Sequence, residues 1–291
     1  MGKRRTDDHS SSRENGPTTR QTEGRRRQEE ARLVLRETFL HLPNVGVETE
    51  RRLWSAGVTG WEDALARFDD LSFGSADRDA CRATLERSSQ ALRDREHQFF
   101  ATCLGLREAW RAFPDFRDDA VYLDIETDGG KGPNSITTIG MYSRHGVVSL
   151  VSGRDLDAFR DEISRYAMIV TFYGSGFDIP ILKLRFPDVM FDQIHLDLCP
   201  TLRRVGVGGG LKRIEKEFRL ARDDRAEGLT GWDAVKLWRS YRYNRDETAL
   251  ATLLAYNVAD LVTLEPLAEI AYARLSALAR GEVHSSSLAT V

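Results

Sequence analysis

The stretch VYLDIETDG, Val121 to Gly129, constrains the fold more than any other part of the chain. It reads as a buried strand, yet Asp124 and Glu126 lie inside it. Side chains of a strand alternate between its two faces. Val121, Leu123 and Ile125 therefore point into one core, while Tyr122, Asp124 and Glu126 point the other way. Burying an ionised carboxylate is costly unless something pairs with it. Two on one face also repel each other. A hard divalent cation such as Mg²⁺ or Mn²⁺ prefers oxygen ligands and removes both difficulties. The other reading of the pair is a strand end with two solvated acids.

The rest of the chain supplies the setting. Its 291 residues suffice for one or two domains with a real core. Residues 1–30 are Arg-, Ser- and Thr-rich and contain no Leu, Ile, Val, Phe, Trp or Tyr, so they read as a disordered polar tail. Residues 31–116 carry apolar residues three and four apart and read as a small all-helical domain. ARLVLRETFL opens it, DRDACRATLERSSQALRDREHQFFATCL forms one long amphipathic stretch, and RAFPDF closes it near Pro114. From about 118 the pattern changes. AVYLDIETD, SITTIGMYS and GVVSLVSG read as consecutive strands, DLDAFRDEISRY as a helix, AMIVTFYG as a strand and DIPILKLRF as a helix start. One final helix is expected from about Asp246 to Arg280, with a flexible tail at 281–291. Three meander strands followed by alternating helix and strand predict an α/β domain over 118–275, a mixed sheet flanked by helices.

Net charge is −3, so any contact with nucleic acid needs a local basic patch. The three cysteines form no CxxC pair, which argues against zinc and against a disulfide framework. The N-terminus lacks an apolar signal core, and no run approaches the roughly 18 apolar residues of a membrane span. A cytoplasmic protein is the expectation.

Two further segments carry acids. In IVTFYGSGFDIP, Asp178 follows a strand and a Gly-containing loop and precedes Ile179 and Pro180, the pattern of a helix N-cap. In LAYNVADLVTLEPL, Tyr256 and Asp260 are four apart and share one face of an otherwise apolar helix. Together, Asp124, Glu126, Asp178, Tyr256 and Asp260 resemble the site of the 3′–5′ exonucleases of the ribonuclease-H-like superfamily, in the subclass with four acids and a tyrosine. DIE looks like their first motif, GSGFD the second and YNVAD the third. VTFYGSGFDIPIL, IHLDLCPTLRR and GGGLKRIEKEF look like segments of the YprB-like group of such enzymes, over about Ala120 to Ala271. Relatives commonly carry Asn where this chain has Tyr173, which leaves the acids intact and alters the substrate side.

The resemblance implies a ribonuclease-H-like exonuclease fold and two divalent cations, Mg²⁺ or Mn²⁺, at Asp124, Glu126, Asp178 and Asp260. It implies Asp124 bridging both ions, Glu126 and Asp260 completing the first site, Asp178 holding the second, and Tyr256 orienting water. Products would be nucleoside 5′-monophosphates. DNA is expected ahead of RNA as substrate. The alternatives are an RNA exonuclease and a non-catalytic nucleic-acid-binding protein of the same fold.

Basic residues would hold the strand. Between Cys199 and Arg222, Arg203, Arg204, Lys212, Arg213, Lys216, Arg219 and Arg222 outnumber Glu215 and Glu217, giving a local net charge of +5. His195 and Asp197 in IHLDL read either as cleft residues or as structure. Upstream, the segment Phe39 to Leu65 reads as helix, turn, helix, turn, helix, and LPNVGVETERRLWSAG resembles a helix-hairpin-helix. Pro43, Asn44 and Gly46 would form its phosphate-facing turn, with Arg51 on the following helix.

Overall fold

Short apolar repeats wind the first third of the protein into helices. The computed structural model describes residues 35–221 and 228–281. The expected tails at 1–30 and beyond Gly281, and Arg222 of the basic segment, lie outside the described residues. The helices are α1 (Val47–Ser55), α2 (Trp61–Ala66), α3 (Arg78–Arg93), α4 (His97–Glu108) and the single turn α5 (Phe113–Phe116). The long amphipathic stretch is thus two helices. Arg95, at φ 55°, breaks it between α3 and α4.

The expected helix through Phe39 is a set of turns that follows a 3₁₀ turn at Leu35–Glu37. Pro43 disfavours the helical region for Leu42. The buried Glu50 carboxylate instead accepts from the backbone N–H groups of Phe39 and Leu40, at 2.7 and 3.3 Å. A side chain has taken the place of a helical ladder.

The sheet follows. Its strands are β1 (Ala120–Thr127), β2 (Ile136–Ser143), β3 (Gly146–Val151), β4 (Met168–Thr171) and β5 (Ile194–Asp197), in the order β3-β2-β1-β4-β5. β1–β2 and β2–β3 are antiparallel, while β1–β4 and β4–β5 are parallel. The mixed sheet is the expected one. Parallel neighbours need crossover helices, and α6 (Phe159–Ile163) and α7 (Asp178–Arg185) provide them. Val121, Leu123 and Ile125 pack with Phe159, Ile179 and Leu182 on one face. The opposite face is covered to differing extents by α8 (Leu198–Arg203), α10 (Gly231–Asn244), α11 (Glu247–Val262) and α12 (Leu264–Arg280), with α9 (Leu211–Glu217) between α8 and α10 in the chain.

Two of these helices depart from expectation. The single terminal helix is two, because Pro266 has no N–H to give the Val262 carbonyl four residues back. α10 was not anticipated, although its capping box is written in the sequence as Thr230-Gly-Trp-Asp233. The run Glu247–Arg280 has the length and hydropathy of a membrane-crossing segment, contrary to expectation. Yet 56% of its most apolar part is buried inside the fold, which makes it a pair of core helices. One apolar cluster runs from Leu35 through Trp110 and Phe113 to Met168, Val170 and α12, so the early helices and the sheet share a core.

Candidate active site

β1 is buried along its length except at two positions, Asp124 and Glu126, which are partly exposed. The sequence pattern put them on one face, and α11 lies across that face. One stripe of α11 carries Leu253, Tyr256, Asn257 and Asp260. Carboxylate oxygens of Asp124, Glu126 and Asp260 all lie within 4.8 Å of one another. The helix can approach this closely because Gly140 stands opposite Asp124 in the β1–β2 register. A Cβ at Gly140 would sit 1.8 Å from Asn257 Oδ1 and 2.6 Å from Leu261 Cδ1.

Asn257 was not singled out from the sequence. Its side chain is fully buried, and its Nδ2 donates to Asp124 Oδ2 at 2.7 Å. The signal was available, since Asn257 is three residues before Asp260 on the same stripe.

Asp178 comes from the start of α7. It is not the helix cap expected from the sequence, because Phe177 occupies that position. Its Oδ1 instead accepts from the backbone N–H of Ile125 at 3.0 Å, a cross-link to the strand that carries Asp124 and Glu126. The loop before it is held by Asp197, whose carboxylate accepts from the N–H groups of Tyr173, Ser175 and Cys199 at 2.8, 3.0 and 3.1 Å. Asp197 is therefore a brace. His195 is bonded to Thr171 Oγ1 at 2.9 Å, lines a cavity with Ser175 and Lys183, and is pushed down to about 4 chiefly by burial.

The electrostatics follow from crowding. Burial, then the charges of Asp178, Glu126 and Asp260, push the Asp124 carboxyl well above the usual range. Burial, then Asp260 and Asp178, push Glu126 up to about 8, with Lys212 opposing. Burial raises Asp178 to about 7, against the hydrogen bond from Ile125. Oxygen ligands this close, at this cost in protonation, suit a hard divalent cation.

A family model described as the RNase_H superfamily matches residues 121–272, just over half of the chain. The chain belongs to the RNase H superfamily. Membership supports a nuclease, a hydrolase of nucleic acid that uses divalent metal at clustered acids. The structure of the family B DNA polymerase from the hyperthermophilic archaeon Pyrobaculum calidifontis is similar over 59% of this chain, at 18% identity and a TM-score of 0.46. The similarity spans 27% of that polymerase. A search of curated proteins returned no significant match.

The basic residues of this RNase H superfamily chain fall into three groups. Arg203 and Arg213 are exposed. Arg204 is turned inward, its guanidinium bonded to the Arg107 carbonyl and paired with Glu108 at 3.2 Å. The residue grouped in the sequence with the strand-holding cations is thus engaged by a half-buried ion pair. Lys212 sits among the site residues, its Nζ donating to Tyr256 Oη at 3.1 Å. Farther away, Pro43, Asn44 and Gly46 form an exposed turn with Asn44 at φ 58°. Arg51 is exposed on α1 and paired with Glu48 at 3.3 Å.

Proposed function

We propose that this protein is a metal-dependent 3′–5′ exonuclease that shortens DNA, in preference to RNA, to nucleoside 5′-monophosphates. The observation that carries the reading is the meeting of Asp124, Glu126 and Asp260 within 4.8 Å, one helical turn from Tyr256. Asp178, cross-linked to β1, makes the fourth acid. An all-carboxylate donor set fits Mg²⁺ or Mn²⁺. Asp124, Glu126 and Asp260 would hold one ion, and Asp124 with Asp178 a second. Bound divalent ions supply charge neutralisation at the phosphate and acidify water.

The chain's own groups do the positioning. Asn257 fixes the Asp124 carboxylate from behind. The Ile125 N–H fixes Asp178. Tyr256, 5% exposed, offers a hydroxyl rather than a strong base, since a free phenol has a pKa of about 10. Exposed Arg203 and Arg213 would meet backbone phosphates, and the turn at Pro43–Gly46 with Arg51 would hold the duplex behind the end being shortened.

The test uses purified protein with Mn²⁺ and 5′-labelled substrates: a DNA single strand, a duplex with a 3′ overhang, and matching RNA. Asp260→Ala and EDTA run as controls. A ladder shortening from the 3′ end, absent in both controls and faster on DNA, is the expected result. Shortening of RNA alone would move the substrate to RNA. No ladder on any substrate, with DNA still bound, would leave a binding protein.

A further inference from the structure

Lys212 is where the sequence and the structure part company. The sequence groups it with strand-holding cations. In the fold it is the second residue of α9 and only partly exposed, while Arg203 and Arg213 on either side of it in the basic segment are open to solvent. Its ammonium donates to two oxygens from separate pieces of chain: the Leu229 carbonyl ahead of α10, and Tyr256 Oη on α11. It also lies 4.4 Å from the centroid of the Tyr256 ring, in cation–π range. Its charge reaches Glu126 as well.

We infer that Lys212 is a positioning residue that sets the direction of the Tyr256 hydroxyl at the acidic cluster, and that it is not a phosphate contact. The inference rests on the exonuclease reading above. The physical argument is one of donors. A lysine ammonium carries three donors and no acceptor, and a phenol hydroxyl has one O–H and two lone pairs. Facing Lys212, Tyr256 Oη can only accept. Its own hydrogen must point elsewhere, away from the ammonium. A hydroxyl that could otherwise rotate is thereby held with its donor side turned away from Lys212. The Leu229 carbonyl anchors the ammonium, so the long lysine side chain does not swing out.

The two roles separate in kinetics. Initial rates on a 5′-labelled DNA single strand with Mn²⁺ are measured for the wild-type chain, Lys212→Met, Tyr256→Phe and the double variant. A positioning role predicts that Lys212→Met lowers kcat by roughly ten- to a hundredfold, the worth of one charge-assisted hydrogen bond. KM stays within about twofold, and the double variant is no slower than Tyr256→Phe alone. Arg213→Met, as contrast, raises KM. Thermal melts check that each variant folds; should Lys212→Met not fold, Lys212→Leu, which likewise removes the donor, is read against Tyr256→Phe in the same way. Multiplying effects in the double variant, or a raised KM with kcat intact, overturns the inference and restores Lys212 to the strand contacts. An active wild type with that outcome leaves the exonuclease reading standing. An inactive wild type overturns both.

Discussion

Among the described residues, two clusters of charged side chains are built on opposite plans. In the helical part, Arg111 is 3% exposed and Glu50 1%, paired at 3.0 Å. Arg111 also pairs with Glu108 at 2.8 Å and donates to Thr38 Oγ1, while Glu50 accepts two backbone N–H groups. Each charge there meets its opposite. On β1 and α11, by contrast, Asp124, Glu126 and Asp260 crowd one another and push Asp124 and Glu126 toward protonation. The first arrangement is complete within the chain. The second is dominated by like charge, with Lys212 opposing at Glu126, and a cation would relieve the crowding. Matched charge marks a structural joint, and crowded like charge marks a working site.

Breaking the matched group should cost the most stability. Arg111→Met leaves Glu50 buried and uncompensated, with an expected loss of about 3–5 kcal/mol. That is a large share of the roughly 5–15 kcal/mol available to a domain. Urea titration followed by tryptophan fluorescence reads it. A loss under about 1 kcal/mol would show that the pair is dispensable and would remove the contrast.

The same operation at the other site should do the reverse. Asp124→Asn removes a repelling charge and keeps an oxygen for Asn257 to donate to. Metal-free stability is expected to hold or rise, while nuclease activity falls on the order of a thousandfold, about 4 kcal/mol of barrier. A variant that loses both together would make the cluster structural.

Proton linkage gives a smaller and more specific effect. Glu126 and Asp178 titrate near 8 and 7 in the fold, against about 4 for free carboxyls. Between these limits the folded chain binds more protons than the unfolded one. Metal-free stability is therefore greatest near pH 4 as far as these groups are concerned, and falls as pH rises through 7 and 8. Mn²⁺ should offset this by about 2.7 kcal/mol at a hundredfold excess over its Kd, and by more at pH 8 than at pH 5.5. Calorimetric melts with and without Mn²⁺ at both values check the sign. Equal gains at the two pH values would contradict the crowding argument.

How far the sequence could be read follows the same division. Period-two alternation made Asp124 and Glu126 visible on one face, and the four-residue spacing of Tyr256 and Asp260 put both on one side of a helix. Local pattern was enough there, because each pair lies within one element. Asn257 and Gly140 were missed because their meaning is a distance between two elements, which no local period encodes. The partners of Arg204 and Lys212 were hidden for a related reason. In sequence both are cations in a basic run, and only packing turns one toward Glu108 and the other toward Tyr256. Four strands, β1 to β4, were legible from their patterns, while β5 in IHLDL, four residues long, was not read as one. The turns around Phe39 were not, because a glutamate eleven residues on takes over their backbone donors.

Asp197 belongs with the matched group, though it stands beside the crowded one. It collects backbone donors and holds the loop that leads to Asp178, and inside that loop Tyr173 sits at φ 67°. A non-glycine residue there is strained, and Asn tolerates the region better than most. Tyr173→Asn should therefore raise stability by about 0.5–1 kcal/mol, the smallest effect expected here, read as a rise of a few degrees in Tm. The ring is 54% exposed, so little burial is lost with it. A lowered Tm would mean that the contact of the ring with the Gly176 backbone outweighs the strain. An unchanged Tm with a raised KM would mean instead that the strain is kept for the substrate, and the boundary between brace and working site would then run through Tyr173 itself.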